Sequence, residues 1–325
     1  IQQEKLNNQV AELDVATSEN SIQESIAQIY IQILYAAESV RVNENTLQVS
    51  IAQRDRGQEL LNAGSIAKSD FAQLEAQVST DRYQLVTAQA TLQDYKLQLK
   101  QLLELDGENE MNIYLPALSD ENVLSPLPAK RDVYVSALAL RPEIEASKLN
   151  VNASELGIDI AKSGYLPTVS LSAGIGTNHT SGSDFTFSEQ VKNGWNNSIG
   201  LSVSVPIFNN RQTKSAVQKA KLQYETSMLS LLDEQKALYK TIEGLWLDAN
   251  SAQQRYAAAN EKLKSTQISY NLISEQFNLG MKNTVELLTE KNNLLQAQQE
   301  QLQAKYMAIL NTQLLKFYQG DKLAL

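Results

Sequence analysis

The chain contains a long internal duplication, which limits its possible folds more than any other feature. Residues 1–105, shifted by 216 positions, align without a gap with residues 217–321. Matched positions include Leu13 with Leu229, Ile26 with Ile242, Leu47 with Leu263 and Gly64 with Gly280. Solenoid repeats have roughly 20–50 residues. A unit this long therefore predicts two structurally equivalent halves, with function where the halves meet.

The composition favours long helices over an ordinary globular domain. The 325 residues include only 6 prolines and 13 glycines, the residues that interrupt helices. The net charge is -9, with a sequence pI near 4.9 and no run of lysine or arginine, so nucleic acid is not expected as a partner. There is no cysteine, which excludes disulfides and thiol catalysis.

Apolar residues recur every seven positions in two pairs of segments, which predicts four long helices. The first pair, residues 1–61 and 68–105, forms a first-repeat helical hairpin over residues 1–105. The second pair, separated by Gly280, forms an equivalent hairpin over residues 209–325. A sustained seven-residue period predicts long antiparallel coiled coils. The helix before Gly280 would be roughly 100 Å long at a rise of 1.5 Å per residue, so it must pack along other helices.

Between the two helical hairpins the residue pattern changes twice. Residues 106–130 contain Asp106-Gly107 and three prolines, which predicts a connector, and a shorter helix follows within residues 131–164. Residues 165–208 then predict a β-hairpin. The first half has no counterpart of residues 131–216, so we expect the chain to lack an N-terminal part.

Strict alternation of apolar and small polar residues predicts the two strands of this hairpin. The apolar positions are Val169, Leu171, Ala173 and Ile175 in the first strand and Ile199, Leu201, Val203 and Val205 in the second. Each strand has about ten residues, the length that a tilted strand needs to cross a bilayer. Two strands leave open hydrogen-bonding edges, so a spanning sheet requires further strands and hence oligomerisation. The polar segment 177–196 between them predicts a loop.

Aromatic residues lie at both ends of the predicted strands. Tyr165 and Phe208 stand at the end joined to the helices, and Phe185, Phe187 and Trp195 stand at the loop end. Aromatic side chains at both membrane interfaces are typical of lipid-embedded strands. A soluble hairpin that caps a helical bundle remains the alternative at this point.

Five short motifs add a resemblance to a known family. They are Arg141-Pro-Glu-Ile144, Ser163-Gly-Tyr-Leu-Pro-Thr-Val-Ser-Leu-Ser172, Val205-Pro-Ile-Phe208, and the paired hairpin turns Leu61–Asp70 and Phe277–Glu286. Together with the duplication, they make the chain similar to the outer membrane efflux protein family, the TolC-like exit ducts. The resemblance covers the whole chain.

The resemblance implies a homotrimer in the bacterial outer membrane. Three chains would give four strands each to one twelve-stranded transmembrane β-barrel, and their coiled-coil helices would continue it as an α-barrel, a tunnel through the periplasm. Proteins of this family conduct passively, because a periplasmic adaptor and an inner-membrane pump supply energy and substrate. The resemblance therefore implies no enzymatic activity, no cofactor and no metal site.

The resemblance also implies a periplasmic gate just after the two hairpin turns. Glu286 occupies the position of an acid that narrows the lumen, and a ring of three such carboxylates would favour cations. Thr289 stands where a second acid is common. Asp70 is the first-repeat equivalent of Glu286, and Lys282 and Ser69 are expected to contact each other between hairpins. Solvation of exposed helix ends is the alternative explanation for these charges.

The tips of the hairpins are expected to contact the adaptor end to end. The contact residues would be Gly64, Ser65, Gly280 and Met281. An exit duct for drugs or other small toxic compounds is the leading function. The exit channel of a type I protein secretion system or of a metal-cation exporter is the alternative within this architecture, and a periplasmic coiled-coil scaffold without transport is the alternative outside it.

Overall fold

The computed structural model describes residues 1–105, 113–116, 123–182 and 184–323. In chain order these contain α1 (Gln2–Asn62), α2 (Lys68–Leu102), α3 (Lys130–Leu140), α4 (Pro142–Ser163), β1 (Thr168–Gly176), α5 (Phe187–Asn193), β2 (Asn196–Ser204), α6 (Gln212–Asn278) and α7 (Thr284–Gln319). The prediction of a mainly helical fold with a small β part is confirmed. Part of the predicted connector, residues 106–130, lies outside the described residues.

The chain divides into two compact units. The first unit comprises residues 1–13 and 145–234, and so contains the β-hairpin with the adjoining stretches of α1, α4 and α6. The second comprises residues 14–144 and 235–325, and so contains α2, α3, α7 and most of α1 and α6. No helix among the described residues has the length and apolar character needed to cross a membrane.

The turns of the two helical hairpins have the same backbone hydrogen bonds. After α1, Gly64 has a φ of +72°, and after α6 Gly280 has a φ of +74°. The amide of Ser65 donates to the carbonyl of Leu60 at 2.8 Å, and its shifted equivalents, Met281 and Gln276, are joined at the same 2.8 Å. This pattern is a Schellman cap, which requires a left-handed residue and so favours glycine. The duplication therefore preserves backbone geometry at both tips.

The predicted short helix of residues 131–164 is divided into α3 and α4. Arg141, between them, has an extended backbone with φ -75° and ψ 124°. The cause is Pro142, whose ring disfavours the helical conformation in the preceding residue. Proline is also suited to the first position of the new helix, because no amide hydrogen is needed there.

Arg141 joins this break to two other helices. Its guanidinium donates to the Glu24 carboxylate of α1 at 2.7 Å and lies 3.6 Å from the ring centre of Tyr318 in α7. Arginine combines bidentate donors with a planar face, so it can pair and stack at once. Only 6% of its side chain is exposed. The buried guanidinium thus attaches the C-terminal end of α3 to α1 and α7.

The β-hairpin has the predicted alternation of apolar and small polar residues. β1 pairs with β2 in antiparallel fashion, so that Val169 lies opposite Val203 and Leu171 opposite Leu201. The other face carries the small polar residues, with Ser170 opposite Ser202. Every described residue of the two strands is exposed except Gly176. The sheet therefore has one apolar face and one small polar face, and both faces are exposed.

The loop between the strands contains a helix that the sequence analysis did not predict. In α5, the Glu189 carboxylate accepts hydrogen bonds from the backbone amide of Thr186 at 3.0 Å and from its hydroxyl at 2.8 Å. This is a capping box, which satisfies donors at the helix start. The sequence analysis interpreted the segment as a loop because it is mostly polar, and the Thr186–Glu189 capping box is too short to stand out.

We expect the two turn glycines to be equally sensitive to substitution. A Cβ at Gly64 or Gly280 would meet no atom within 4 Å, so Gly64→Ala or Gly280→Ala should destabilise only through the left-handed backbone, by about 1 kcal/mol each. Gly244 in α6 is a matched control: its Cβ would also meet nothing, but its φ is ordinary. Gly244→Ala should stabilise by about 0.5–1 kcal/mol. Chemical denaturation of the full-length protein measures all three, and unequal effects at the two turns would contradict their equivalence.

Candidate functional site

The two acids predicted for the gate occupy equivalent positions at the starts of α2 and α7. The Glu286 carboxylate accepts from the amide of Asn283 at 3.2 Å, while the Asn283 side chain accepts from the amide of Glu286 at 2.9 Å. Asp70 accepts from the amide of Ala67 at 3.3 Å. Both acids therefore cap a helix, and an acidic group there is also favoured by the helix dipole.

Glu286 has a cationic neighbour that Asp70 does not share. The Nζ atom of Lys282 donates to the Glu286 carboxylate at 2.5 Å, and both side chains are partly exposed, at 34% and 39%. The hydrogen bond from Lys282, followed by that from the Asn283 amide, lowers the pKa of Glu286. The carboxylate consequently stays ionised further into the acidic range than an ordinary glutamate.

The predicted contact between Lys282 and Ser69 is not formed within the described chain. Lys282 pairs with Glu286 on its own hairpin instead, because the capping geometry of Asn283 brings the carboxylate within reach. Ser69 lies exposed in the first turn of α2. A link between hairpins through Lys282 and Ser69 stays a prediction.

The four residues predicted to contact an adaptor are all exposed at the turns. They are Gly64, Ser65, Gly280 and Met281, and the Met281 side chain is 69% exposed. Beneath the turns, Leu74, Phe277 and Leu287 form a buried cluster with Leu60 packed against it. The cluster and the side chains packed against it come from all four long helices, α1, α2, α6 and α7. Phe277 is thus a packing residue.

Further along the same helices lies a buried charged cluster that sequence reasoning missed. Lys291 of α7 donates to both the Asp81 carboxylate of α2 and the Ser50 hydroxyl of α1, and Ser50 donates to Asp81. The second Asp81 oxygen accepts from Gln77 at 2.9 Å. The side chains of Lys291 and Asp81 are 3% and 1% exposed. We call Ser50, Asp81 and Lys291 the buried triad.

The buried triad is costly to desolvate, and each of its polar side chains has hydrogen-bond partners. Burial lowers the pKa of Lys291, and the hydrogen bond and charge of Asp81 oppose that shift. A buried ion pair contributes to stability only when its remaining polar atoms are also bonded, as Ser50 and Gln77 provide here. The triad therefore ties the second-repeat helix α7 to both long helices of the first repeat.

The sequence did contain a signal for the buried triad. Buried residues of α7 recur at Thr284, Leu287, Lys291 and Leu294, a spacing of three and four that marks one helix face. In α2, Asp81 follows Leu74 and Val78 in the same way. A lysine and an aspartate on the apolar faces of two helices predict a buried pair.

The duplication also produces two grooves at equivalent positions. One has a volume of about 560 Å³ and is lined by residues that include Ala252, Arg255, Glu300 and Ala304. The other, of about 350 Å³, is lined by their shifted counterparts Ala36, Ser39, Gln84 and Ala88. The alanines recur, whereas the charges do not. The position of the groove is thus retained between repeats, whereas its volume and its charged residues are not.

The predicted membrane residues form one uncovered apolar surface. The side chains of Leu171, Ile199 and Leu201 are 76%, 85% and 70% exposed. Val169, Ala173, Ile175, Val203 and Val205 are also exposed, as are the predicted interface aromatics Tyr165, Trp195 and Phe208. An apolar surface of this size on a soluble monomer would be unusual. No group of three or more His, Cys, Asp or Glu side chains in the described part of the chain is placed to hold a metal ion.

Comparison with known proteins gives a consistent match. The family model described as outer membrane efflux protein matches residues 133–320. The outer membrane efflux protein BepC of Brucella suis biovar 1 is 24% identical over 294 residues, covering 90% of this chain and 61% of BepC. The outer membrane protein TolC of Escherichia coli strain K12 is 24% identical over 316 residues, covering 93% of this chain and 62% of TolC. The chain thus spans less than two thirds of these relatives.

A solved structure of CusC shows the same fold. Its TM-score is 0.81 at 19% sequence identity, over 98% of this chain and 73% of that one. The structure of VceC from Vibrio cholerae gives a TM-score of 0.77 at 18% identity, over 99% of this chain and 75% of that one. At such low identity the likeness concerns the fold, including the long helical hairpins and the strand pair.

We expect the buried triad to be strongly coupled. Lys291→Met should destabilise by about 3–5 kcal/mol, because it leaves the Asp81 carboxylate buried without a cation. Asp81→Leu should cost a similar amount, whereas the double variant should recover most of the loss. The comparison is made by denaturation of the full-length protein.

The exposed pair of Lys262 and Glu300 is a matched control for this cycle. Its atoms are 2.7 Å apart, but the two side chains are 44% and 41% exposed. Lys262→Met should therefore change stability by only about 0–1 kcal/mol. Additive losses at Lys291 and Asp81 would contradict the coupling.

Proposed function

The chain belongs to the outer membrane efflux protein family, and from this premise we propose that it forms the outer membrane exit duct of a tripartite efflux system. In this proposal it conducts small molecules passively, without catalysis or a cofactor. The observation that carries the proposal is the β-hairpin with one apolar and one small polar face, both uncovered. The apolar face suits lipid, and the serine and glycine face suits a water-filled lumen.

The proposed assembly is a homotrimer. Each chain would contribute strands to a common barrel of twelve, because the two edges of a single hairpin cannot stay unpaired in hydrocarbon. The long helices would continue the pore into the periplasm. The exposed turns at Gly64 and Gly280 would meet a periplasmic adaptor, and an inner-membrane pump would supply substrate and energy.

The proposed gate is the region of Glu286, Asp70, Lys282 and Ser69. Three copies of Glu286 around a threefold axis would place like charges near a narrow opening and favour cations over anions. Lys282 offsets part of this charge in each chain, because it binds the same carboxylate. Selectivity at this ring therefore depends on the balance between one acid and one base.

The nature of the cargo is a narrower proposal. We favour drugs or other small toxic compounds, because the family and its member BepC are both named for efflux. Export of a protein in one step and export of metal cations are alternatives that use the same duct. Direct export assays in a strain without its own exit ducts, each with one cargo class, distinguish them.

We expect Glu286→Gln to reduce cation selectivity in bilayer recordings of the full-length protein by at least about twofold. Glutamine can still accept the Asn283 amide, so the helix cap should survive and single-channel conductance should remain measurable. Asp70→Asn is the matched variant in the first repeat. If Glu286→Gln and Glu286→Lys both left selectivity unchanged, the gate assignment would be wrong. If the wild-type protein formed no conducting pores, the duct itself would be excluded.

The pH dependence gives a second readout of the same carboxylate. Because Lys282 lowers the pKa of Glu286, selectivity should persist as the pH falls through the ordinary carboxyl range and disappear only below it. Lys282→Gln removes the largest cause of that shift. The loss of selectivity should then occur at a higher pH, and an unchanged profile would show that another group controls it.

A further inference from the structure

The helix α5, in the loop between the strands, presents an apolar surface of its own. Phe187 and Val191 are four residues apart and so lie on one side of the helix, and Trp195 comes two residues after the helix ends at Asn193. These three side chains, which we call the loop-helix face, line one cavity of about 500 Å³ together with Ser188 and Lys192. The Phe187 and Trp195 side chains are 64% and 58% exposed.

The loop-helix face continues the apolar face of the strands. Ile175 lies opposite Asn197, so the register extended by two residues places Thr177 opposite Trp195. Strand alternation continued one residue before the start of β2 would put Trp195 on the same side as Ile199 and Leu201. The Thr177 hydroxyl donates to the carbonyl of Val191 at 3.1 Å, which holds α5 beside this position. The serine and glycine face is not extended in this way.

Polar contacts orient α5 and occupy its hydrogen-bonding groups. The Gln190 side-chain oxygen accepts from the amide of Thr180 at 2.8 Å, and its nitrogen donates to the carbonyl of Phe185 at 2.8 Å. The negative charge of Glu189 is engaged in the capping box with Thr186. Lys192 is exposed at the edge of the loop-helix face. The arrangement is thus an apolar surface with a cation at its border.

We propose that the loop-helix face binds the lipid surface, lying at the boundary between headgroups and acyl chains where β1 and β2 leave the membrane. Aromatic side chains favour this boundary, and a helix with a cation beside its apolar face lies in its plane, with the cation toward lipid phosphate. The inference rests on the proposed function, because it requires the strands to cross the bilayer. A second copy of this chain is the competing occupant, but it would not need continuity with the lipid-facing residues.

Quenching of tryptophan emission by brominated lipids tests this directly. In the full-length protein, every tryptophan except Trp195 is replaced by phenylalanine, and the protein is reconstituted with lipids brominated either near the headgroup or near the chain end. Trp195 emission should fall about twofold with bromine near the headgroup and change little with bromine near the chain end. Absence of quenching by either lipid would overturn the proposal and favour coverage by another copy of the chain.

A second single-tryptophan protein separates this inference from the function on which it rests. Leu201→Trp, in a background without other tryptophans, places the probe in the middle of β2. It should be quenched most by bromine near the chain end. Quenching of the Leu201→Trp protein without quenching of Trp195 would reject lipid binding by α5 and leave the membrane hairpin intact. Failure of both probes to respond would reject the membrane hairpin as well.

Discussion

The main physical constraint on this protein is the pair of unpaired edges of its two-stranded sheet. In the described part of the chain, β1 pairs only with β2, so each strand has one row of backbone donors and acceptors without a strand partner. In water these groups bind solvent, but in hydrocarbon each unpaired group costs several kcal/mol. A hairpin with this apolar face consequently needs strands from elsewhere. Because α4 and α6 lead into and out of the hairpin, the proposed strand pairing between chains would also bring their helices together.

The two repeats share their backbone geometry at the turns but differ in their charged residues. Helix ends, turn hydrogen bonds and the positive φ of Gly64 and Gly280 agree between repeats. The charges do not: the positions equivalent to Lys291 and Asp81 hold Glu75 and Ala297. Symmetric backbones with asymmetric charges allow α7 to pair with α2 through a contact that has no counterpart in the other repeat. The buried triad thus joins the two repeats through a contact that only this pairing of α2 with α7 provides.

Much of the fold could be predicted because periodic patterns report directly on backbone geometry. The seven-residue stripes gave the long helices, and strict alternation gave both strands to within about one or two residues, the usual uncertainty of element ends. The helix break was foreseeable from Pro142 but was not predicted. The contact of Lys282 with Glu286 depends on the local cap of Asn283, and α5 depends on Thr186 and Glu189. Such interactions span only four or five residues, too few to form a period.

The central claim is that the odd-numbered face of the β-hairpin contacts lipid and the even-numbered face contacts water. The absence of cysteine from this chain makes single-cysteine labelling straightforward. Ser172→Cys and Leu171→Cys are neighbours on opposite faces of β1, and in intact outer membranes a membrane-impermeant maleimide should label the first and spare the second. Equal labelling of both, or labelling of the second alone, would contradict a lipid-embedded hairpin and with it the duct.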